Sequence, residues 1–324
     1  MKSAPSSTAD SLAARSQFAA DVAYYLSLTP RQLPSRYLYD PLGSALFEAI
    51  CRLPWYGLTR AEGRLLSAHS AAIWQHAANT DAVMELGPGS GEKLAMLLAA
   101  APPRPLTAHL VDVSASALAQ ARTALEATRA SVVTHHSDYE TGLARFAANR
   151  SGSGRVLIAF LGSNIGNFDE PGREAFLRGV RAALRPRDAL LIGVDLVRPA
   201  EDLLLAYDDP LGVTAAFNRN LLVRINRELR GNFALDHFEH RAIWNEEASR
   251  IEMHLECRTA QGVEIADAGL EFWMEAGESI WTESSYKFMP ESLQSLLRRT
   301  GFAVDAQWID ADRFALTLAI CEPL

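Results

Sequence analysis

The stretch Val83-Met84-Glu85-Leu86-Gly87-Pro88-Gly89-Ser90-Gly91-Glu92-Lys93 narrows the possible folds more than any other part of this chain. Apolar residues lead into Gly87, glycines recur at alternate positions to Gly91, and Leu94 to Ala100 then carries helix-forming side chains. The segment therefore reads as a strand, a tight turn and a helix start. Glycine has no Cβ, so the turn can take positive φ and let a ligand close to its backbone, while the helix beyond offers unpaired N–H groups. The spacing is G-x-G-x-G with Glu85 two residues ahead, not the G-x-G-x-x-G of dinucleotide turns. A dinucleotide, another nucleoside ligand and a turn that binds nothing all stay open at this point.

Beyond the turn, strands and helices alternate. Strands are predicted at Val83 to Leu86, Leu106 to Val111, Val132 to His135, Val156 to Leu161 and Leu190 to Asp195; helices at Glu92 to Ala100, Ala115 to Thr128, Thr141 to Ala148 and Glu170 to Leu184. Such alternation implies a doubly wound α/β sheet of parallel strands, with ligands at the carboxyl ends. Polar residues stand at four of those ends: Glu85, Asp112, Asp138, and the run Gly162-Ser163-Asn164-Ile165-Gly166-Asn167. Asp112 lies about twenty residues past the glycine turn, where an acid reaches a ribose diol. Asp138 with Tyr139 can accept from an adenine amine and cover its ring, or Asp138 can simply cap a helix. Lys93 can meet a ligand carboxylate or remain solvated.

The flanking regions differ. Met1 to about Ala14 is small and polar and expected to fray, a helix is predicted over Ser16 to Leu28, and Pro30, Pro34 and Pro41 break the chain after it. A Gly43-Ser44 helix opening and a capping box, Thr59 with Glu62, are predicted next. From Arg198 to about Ser285 the alternation stops, and Ile251 to Cys257 and Gly269 to Trp273 show period two. The pattern resumes with a helix over Met289 to Thr300 and a hairpin of Phe302 to Ile309 with Phe314 to Ile320. The expected division is residues 1–60 packing with a substrate domain, 61–197 as the first part of the sheet core, 198–286 as an inserted α+β substrate domain, and 287–324 closing the core.

Composition sets outer limits. With 48% hydrophobic and 22% charged residues the chain suits a soluble globular protein, and a net charge of −8 without a Lys/Arg run argues against nucleic acid or a membrane surface as partner. No apolar run is long enough to span a bilayer and no signal core opens the chain, so a cytoplasmic location is expected. Three scattered cysteines suggest reduced, mostly buried thiols. His237-Phe238-Glu239-His240 reads as a solvated helix face; no metal is expected. Tyr39, Tyr56, Asn167, Tyr207, Glu283 and Ser285 are left as hydrogen-bonding groups suited to a small zwitterion.

Longer motifs carry a resemblance. Arg36-Tyr37-Leu38-Tyr39-Asp40-Pro41-Leu42-Gly43-Ser44-Ala45-Leu46-Phe47-Glu48, Tyr56 with Thr59-Arg60-Ala61-Glu62, the glycine turn, Phe160 to Asn167, Ala206-Tyr207-Asp208-Asp209, Gly212 to Asn218 and Thr282-Glu283-Ser284-Ser285-Tyr286-Lys287-Phe288 resemble the histidine-specific Nα-methyltransferases of ergothioneine biosynthesis, which use S-adenosylmethionine (SAM). The match runs over nearly the whole chain after about residue 20. It implies a class I SAM methyltransferase sheet of seven strands, the last antiparallel, and trimethylation of the α-amino group of histidine to hercynine. It further implies that Gly87, Lys93, Asp112, Asp138 and Tyr139 contact SAM, that Asn167 and Tyr207 hold the substrate carboxylate, and that Glu283 and Ser285 hold the imidazole with help from Tyr56. Met253 would line the imidazole pocket and Tyr39 would stand near the amine as the catalytic candidate. Gly57 stands where the family commonly has a second tyrosine, and Tyr139 where phenylalanine is usual. An N-methyltransferase of another amino acid or small amine, a nicotinamide-dependent oxidoreductase and a catalytically silent binding module are the competing readings. A monomer is compatible with everything in the sequence, which is otherwise silent on oligomeric state.

Overall fold

The computed structural model describes residues 8–150 and 153–322. Residues 1–7, the first part of the segment expected to fray, and Ser151 with Gly152 of a short Ser-Gly loop lie outside the described residues. Helix α1 (Thr8–Leu26) starts earlier than its apolar spacing from Ser16 predicts. After β1 (Arg31–Gln32), α2 (Pro41–Cys51) opens at Pro41 rather than at Gly43-Ser44. Proline costs nothing in the first turn, and the Asp40 carboxylate, accepting from Gly43 N–H at 2.7 Å, supplies the cap. Helix α3 (Leu58–His76) follows Gly57 with no side-chain cap, so the expected capping box does not form.

The alternating region folds nearly as its pattern predicts. β2 (Thr80–Leu86), α4 (Glu92–Ala99), β3 (Thr107–Asp112), α5 (Ala115–Ala124), β4 (Ser131–His136), α6 (Tyr139–Asn149), β5 (Arg155–Phe160), α7 (Glu170–Ala183) and β6 (Ala189–Asp195) follow in order. β5 and β6 bury almost every residue, which is why they read as unbroken apolar runs, whereas β4, at the edge of the sheet, has four exposed and two partly buried residues.

Past α8 (Ala200–Tyr207) and α9 (Val213–Leu229) come β7 (Phe238–Asn245), β8 (Arg250–Cys257), β9 (Gln261–Ile265), β10 (Leu270–Met274) and β11 (Ser279–Tyr286). β8 buries Ile251, Met253, Leu255 and Cys257 at every second position, the period-two signal seen in the sequence. One sheet has the order β1-β11-β8-β7, with β1 parallel to β11, and β9 and β10 form a separate antiparallel pair.

The chain ends with α10 (Pro290–Arg299), β12 (Phe302–Ile309) and β13 (Phe314–Cys321). These complete a seven-stranded sheet, β12-β13-β6-β5-β2-β3-β4, parallel except for β13, which runs antiparallel to both neighbours. Met84, Leu86, Ile158, Phe160, Ile192 and Val194 of the central strands pack on Phe176, Leu177 and Val180 of α7, all at most 5% exposed. Two compact units result. One comprises residues 51–200, 246–250 and 285–324 and holds the seven-stranded sheet; the other comprises residues 1–50, 201–245 and 251–284.

Candidate functional site

The glycine turn lies at the carboxyl end of β2 in the sheet unit. Gly87, Gly89 and Gly91 all take positive φ, at 73°, 54° and 79°. Two of them also lack room for a side chain. A Cβ on Gly87 would stand 2.7 Å from the Tyr139 hydroxyl oxygen and 2.9 Å from Asn164 Nδ2, and one on Gly91 would stand 2.6 Å from the Ala121 backbone. Gly91 then caps α4, so the helix begins where the turn ends.

Behind the turn sits a charged cluster that the sequence pattern mistook for a helix cap. Glu62 is fully buried, and instead of capping α3 it accepts the Gly162 N–H with both oxygens, at 2.9 and 3.0 Å. Its Oε2 also lies 2.7 Å from Lys93 Nζ. A Cβ on Gly162 would meet that same Nζ at 3.0 Å, so the loop after β5, Glu62 and Lys93 close on one another. Burial disfavours the Lys93 ammonium, but Glu62, with smaller contributions from Cys51 and Glu85, outweighs it and raises the pKa. Glu85 is 1% exposed and its Oε2 has no hydrogen-bond partner. Burial raises its pKa well above the usual carboxylate range, Lys93 opposes this, and Glu62 and Asp112 reinforce it.

The neighbouring strand ends supply the rest. Asp112 closes β3, accepts the Ser114 N–H at 2.8 Å, and has its pKa raised by burial against the pull of Ser114 N–H and His136. Asp138 is exposed and caps α6 by accepting Thr141 N–H at 2.7 Å, so the structural role open in the sequence is one it performs. Tyr139 meets Phe160 and Phe176 edge-on at 5.5 and 6.0 Å, with its hydroxyl over Gly87. Gly87, Lys93, Asp112 and Tyr139 thus share one end of the sheet, joined by Glu62 and Asn164, which the sequence reading did not single out. An orphaned carboxylate, a lysine, an acid at the second strand end and a side-chain-free turn fit the ammonium, carboxylate, ribose and backbone approach of a SAM molecule.

Three expected substrate residues belong to the same unit. Asn167 ends the 3₁₀ turn Asn164–Asn167, Tyr56 is 7% exposed just before α3, and Ser285 is 5% exposed near the end of β11. Ser285 Oγ accepts from Lys287 Nζ at 2.7 Å. Lys287 has a fully buried side chain, and its Nζ lies 3.0 Å from Asp195 Oδ2, an ion-pair distance without hydrogen-bond alignment. Arg198 pairs with the other oxygen of Asp195.

Tyr39, Tyr207, Met253 and Glu283 belong to the other unit. The Tyr39 ring is held edge-on by Phe47 and Phe217 at 5.5 and 5.6 Å. The Tyr207 carbonyl accepts from His240 Nε2 at 2.8 Å, and Asn218 Nδ2 lies 2.9 Å from His240 Nδ1. Asn218, fully buried, also accepts the Thr282 hydroxyl at 2.6 Å, and the same hydroxyl lies 2.9 Å from the Met253 carbonyl. One asparagine therefore ties the segments that carry Tyr207, Met253 and Glu283. His240 sits 7% exposed on a strand, not on a solvated helix face, and burial lowers its pKa against the Tyr207 carbonyl's opposite pull. Glu283 is partly buried, and its backbone carbonyl accepts from Trp281 Nε1 at 2.9 Å.

Other features are simpler. Among the described residues no cluster of three or more His, Cys, Asp or Glu is arranged to hold a metal, and no helix is long and apolar enough to cross a membrane. None of the three cysteines is in a disulfide; Cys257 and Cys321 are buried, Cys51 only partly, and burial pushes the Cys321 thiol up to about 12.

Comparison with known proteins bears on the site as a whole. A family model described as histidine-specific, SAM-dependent methyltransferase matches residues 18–321. A histidine N-alpha-methyltransferase of Mycolicibacterium smegmatis is 43% identical over 93% of this chain and 94% of its own, and one of Mycobacterium tuberculosis is 42% identical over 92% and 93%. The ergothioneine biosynthesis protein 1 of Schizosaccharomyces pombe is 28% identical over 87% of this chain and 38% of its own length. With a match from the first helix to the last strand, and with the glycine turn and acidic strand ends in place, this chain belongs to the family of SAM-dependent, histidine-specific methyltransferases.

Proposed function

We propose that this enzyme transfers three methyl groups in succession from SAM to the α-amino nitrogen of L-histidine, giving hercynine as the first step of ergothioneine biosynthesis. The observation that supports the reading is the near-complete match to the family, 43% identical over 93% of the chain in one relative named histidine N-alpha-methyltransferase. In this reading Lys93, Asp112 and Tyr139 hold SAM with the Gly87 turn and Asp138, and Asn167 and Tyr207 take the substrate carboxylate. Glu283 and Ser285 take the imidazole, aided by Tyr56 and Met253. The enzyme is cytoplasmic and uses no metal; neither nucleic acid nor a membrane is a partner.

The sulfonium of SAM supplies an already activated methyl group. What the protein must provide is an amine with a free lone pair, held in line. The α-ammonium therefore loses its proton before each transfer, and Tyr39, its ring fixed between Phe47 and Phe217, orients the nitrogen. The third transfer yields a quaternary ammonium with no lone pair, which ends the sequence. Glu283 accepts an imidazole N–H, and a substrate lacking that donor forgoes a charge-assisted hydrogen bond, which gives the selectivity its energy.

One departure favours a second reading, a wider amine substrate. A Cβ on Gly57 would find no atom nearer than Arg60 Nη2 at 4.0 Å, so the ring common at this position in the family is missing from open space. Incubating the protein with SAM and a panel of amino acids and small amines, with mass detection, separates the two. Mono-, di- and trimethylhistidine are expected; methylation of another amine in preference to histidine would overturn the assignment.

A further inference from the structure

Two stretches marked out by the sequence, Gly212 to Asn218 and His237 to His240, meet inside the unit that carries Tyr207 and Glu283. The polarity of their contact follows from its neighbours. The Asn218 amide nitrogen lies 3.1 Å from the His254 carbonyl oxygen and 2.9 Å from His240 Nδ1. Turning the amide over would set its oxygen against the carbonyl oxygen, acceptor against acceptor, so the nitrogen stands on this side and spends one proton on each neighbour. His240 Nδ1 therefore accepts, the ring is neutral, and its proton sits on Nε2, which donates to the Tyr207 carbonyl at 2.8 Å. On the far side of the amide, Oδ1 accepts the Thr282 hydroxyl at 2.6 Å, and that hydroxyl also lies 2.9 Å from the Met253 carbonyl. Every polar side-chain atom of Asn218, His240 and Thr282 is engaged, and the three residues are 0%, 7% and 1% exposed.

From this we infer that Asn218 is a positioning residue for histidine recognition, acting through His240 on the backbone of Tyr207 and through Thr282 on the backbone beside Glu283. Tyr207 ends α8 and Glu283 follows Thr282 on β11, so one buried amide ties together the two segments assigned to opposite ends of the substrate. The inference rests on those proposed roles of Tyr207 and Glu283, and it uses only their backbones and neighbours. A small zwitterion gripped at both ends needs its two grips at one separation, and backbone held from both sides supplies that. The turn between α8 and α9 is fixed as well: Asp209, 4% exposed, accepts the Leu211 and Thr214 N–H groups at 3.0 and 2.7 Å, so Tyr207 and Asn218 stand on a locked corner. A buried polar network is worth more whole than in parts, because each missing member strands another. The proposed SAM residues Gly87, Lys93, Asp112, Asp138 and Tyr139 belong to the sheet unit, so loosening this amide should be felt by histidine and not by the methyl donor.

The test is L-histidine affinity, by calorimetry in the presence of S-adenosylhomocysteine, for the native enzyme and for N218A, T282V, T282S, the double variant N218A/T282V and, as reference, E283A. T282V keeps the side-chain shape but leaves Asn218 Oδ1 buried without a donor, whereas T282S keeps the hydroxyl. N218A and T282V should each weaken histidine binding about tenfold or more, with S-adenosylhomocysteine affinity, measured separately, within about twofold of native. T282S should stay within about threefold of native. N218A and T282V break the same contact, so the double variant should bind histidine no more weakly than the weaker single, whereas independent structural losses would add. S-Adenosylhomocysteine affinity also reports folding, and the T282V and T282S pair decides if N218A is not folded. Native histidine affinity in T282V, T282S as weak as T282V, a parallel fall in S-adenosylhomocysteine affinity, or additive losses in the double variant would overturn the inference while E283A is weakened. E283A binding histidine as tightly as the native enzyme would instead overturn the placement of Glu283 on which it rests.

Discussion

Glu62 shows how one side chain can be misassigned locally and informative globally. Three residues after a threonine at a helix start, it has the spacing of a capping box, yet it is fully buried against Gly162 N–H and Lys93. In Glu62→Gln the amide nitrogen would confront either the Gly162 N–H or the Lys93 ammonium, donor against donor. Calorimetry should show SAM affinity weakened at least about tenfold, with the histidine KM changing far less. Unchanged SAM affinity would remove Glu62 from the site. Glu283→Ala is expected to do the reverse, raising the histidine KM by about a hundredfold while SAM affinity holds, since the substrate N–H would lose a charged acceptor. Equal histidine kinetics in the two proteins would refute the imidazole assignment.

At the scale of elements, the junction before α2 is the most constrained. A Cβ on Gly43 would lie 1.7 Å from the Leu38 carbonyl oxygen, and the Asp40 carboxylate that caps this helix also binds Asn220 and Arg227 of α9, each at 2.7 Å. Gly43→Ala must displace backbone, and thermal or denaturant unfolding should show a loss of about 2 kcal/mol or more. A variant as stable as the native protein would mean that the turn yields freely. The alternating strands and helices were legible because their patterns are local: β5 and β6 are apolar throughout and β8 alternates. Long-range choices were not. β1 pairs with β11 across most of the chain, Glu62 finds a partner a hundred residues away, and His240 is claimed by Asn218 and the Tyr207 carbonyl, so a solvated helix turn never forms. Of the site, the glycine turn and the acidic strand ends could be read from spacing and chemistry. The roles proposed for the substrate residues came through resemblance, because an isolated tyrosine or glutamate carries no periodic signal.

For the molecule as a whole, the two units are not successive lengths of chain. The polypeptide passes between them at residues 50/51, 200/201, 245/246, 250/251 and 284/285, and β11 begins in one and ends in the other. No single cut yields either unit as a contiguous fragment, so cloning one alone should not give a folded domain. The cysteines offer a practical consequence. Cys257 and Cys321 are buried, and the Cys321 thiol, pushed up to about 12, is almost never a thiolate at neutral pH. Cys51 is only partly buried and close enough to Lys93 for its charge to be felt there. A maleimide should therefore modify one thiol per native molecule and all three after unfolding, as counted by intact mass. Rapid labelling of two or three in the native state would contradict the burial described. If the count is one, Cys51 becomes a built-in attachment point for a fluorophore, and a label there would report on the surroundings of Lys93.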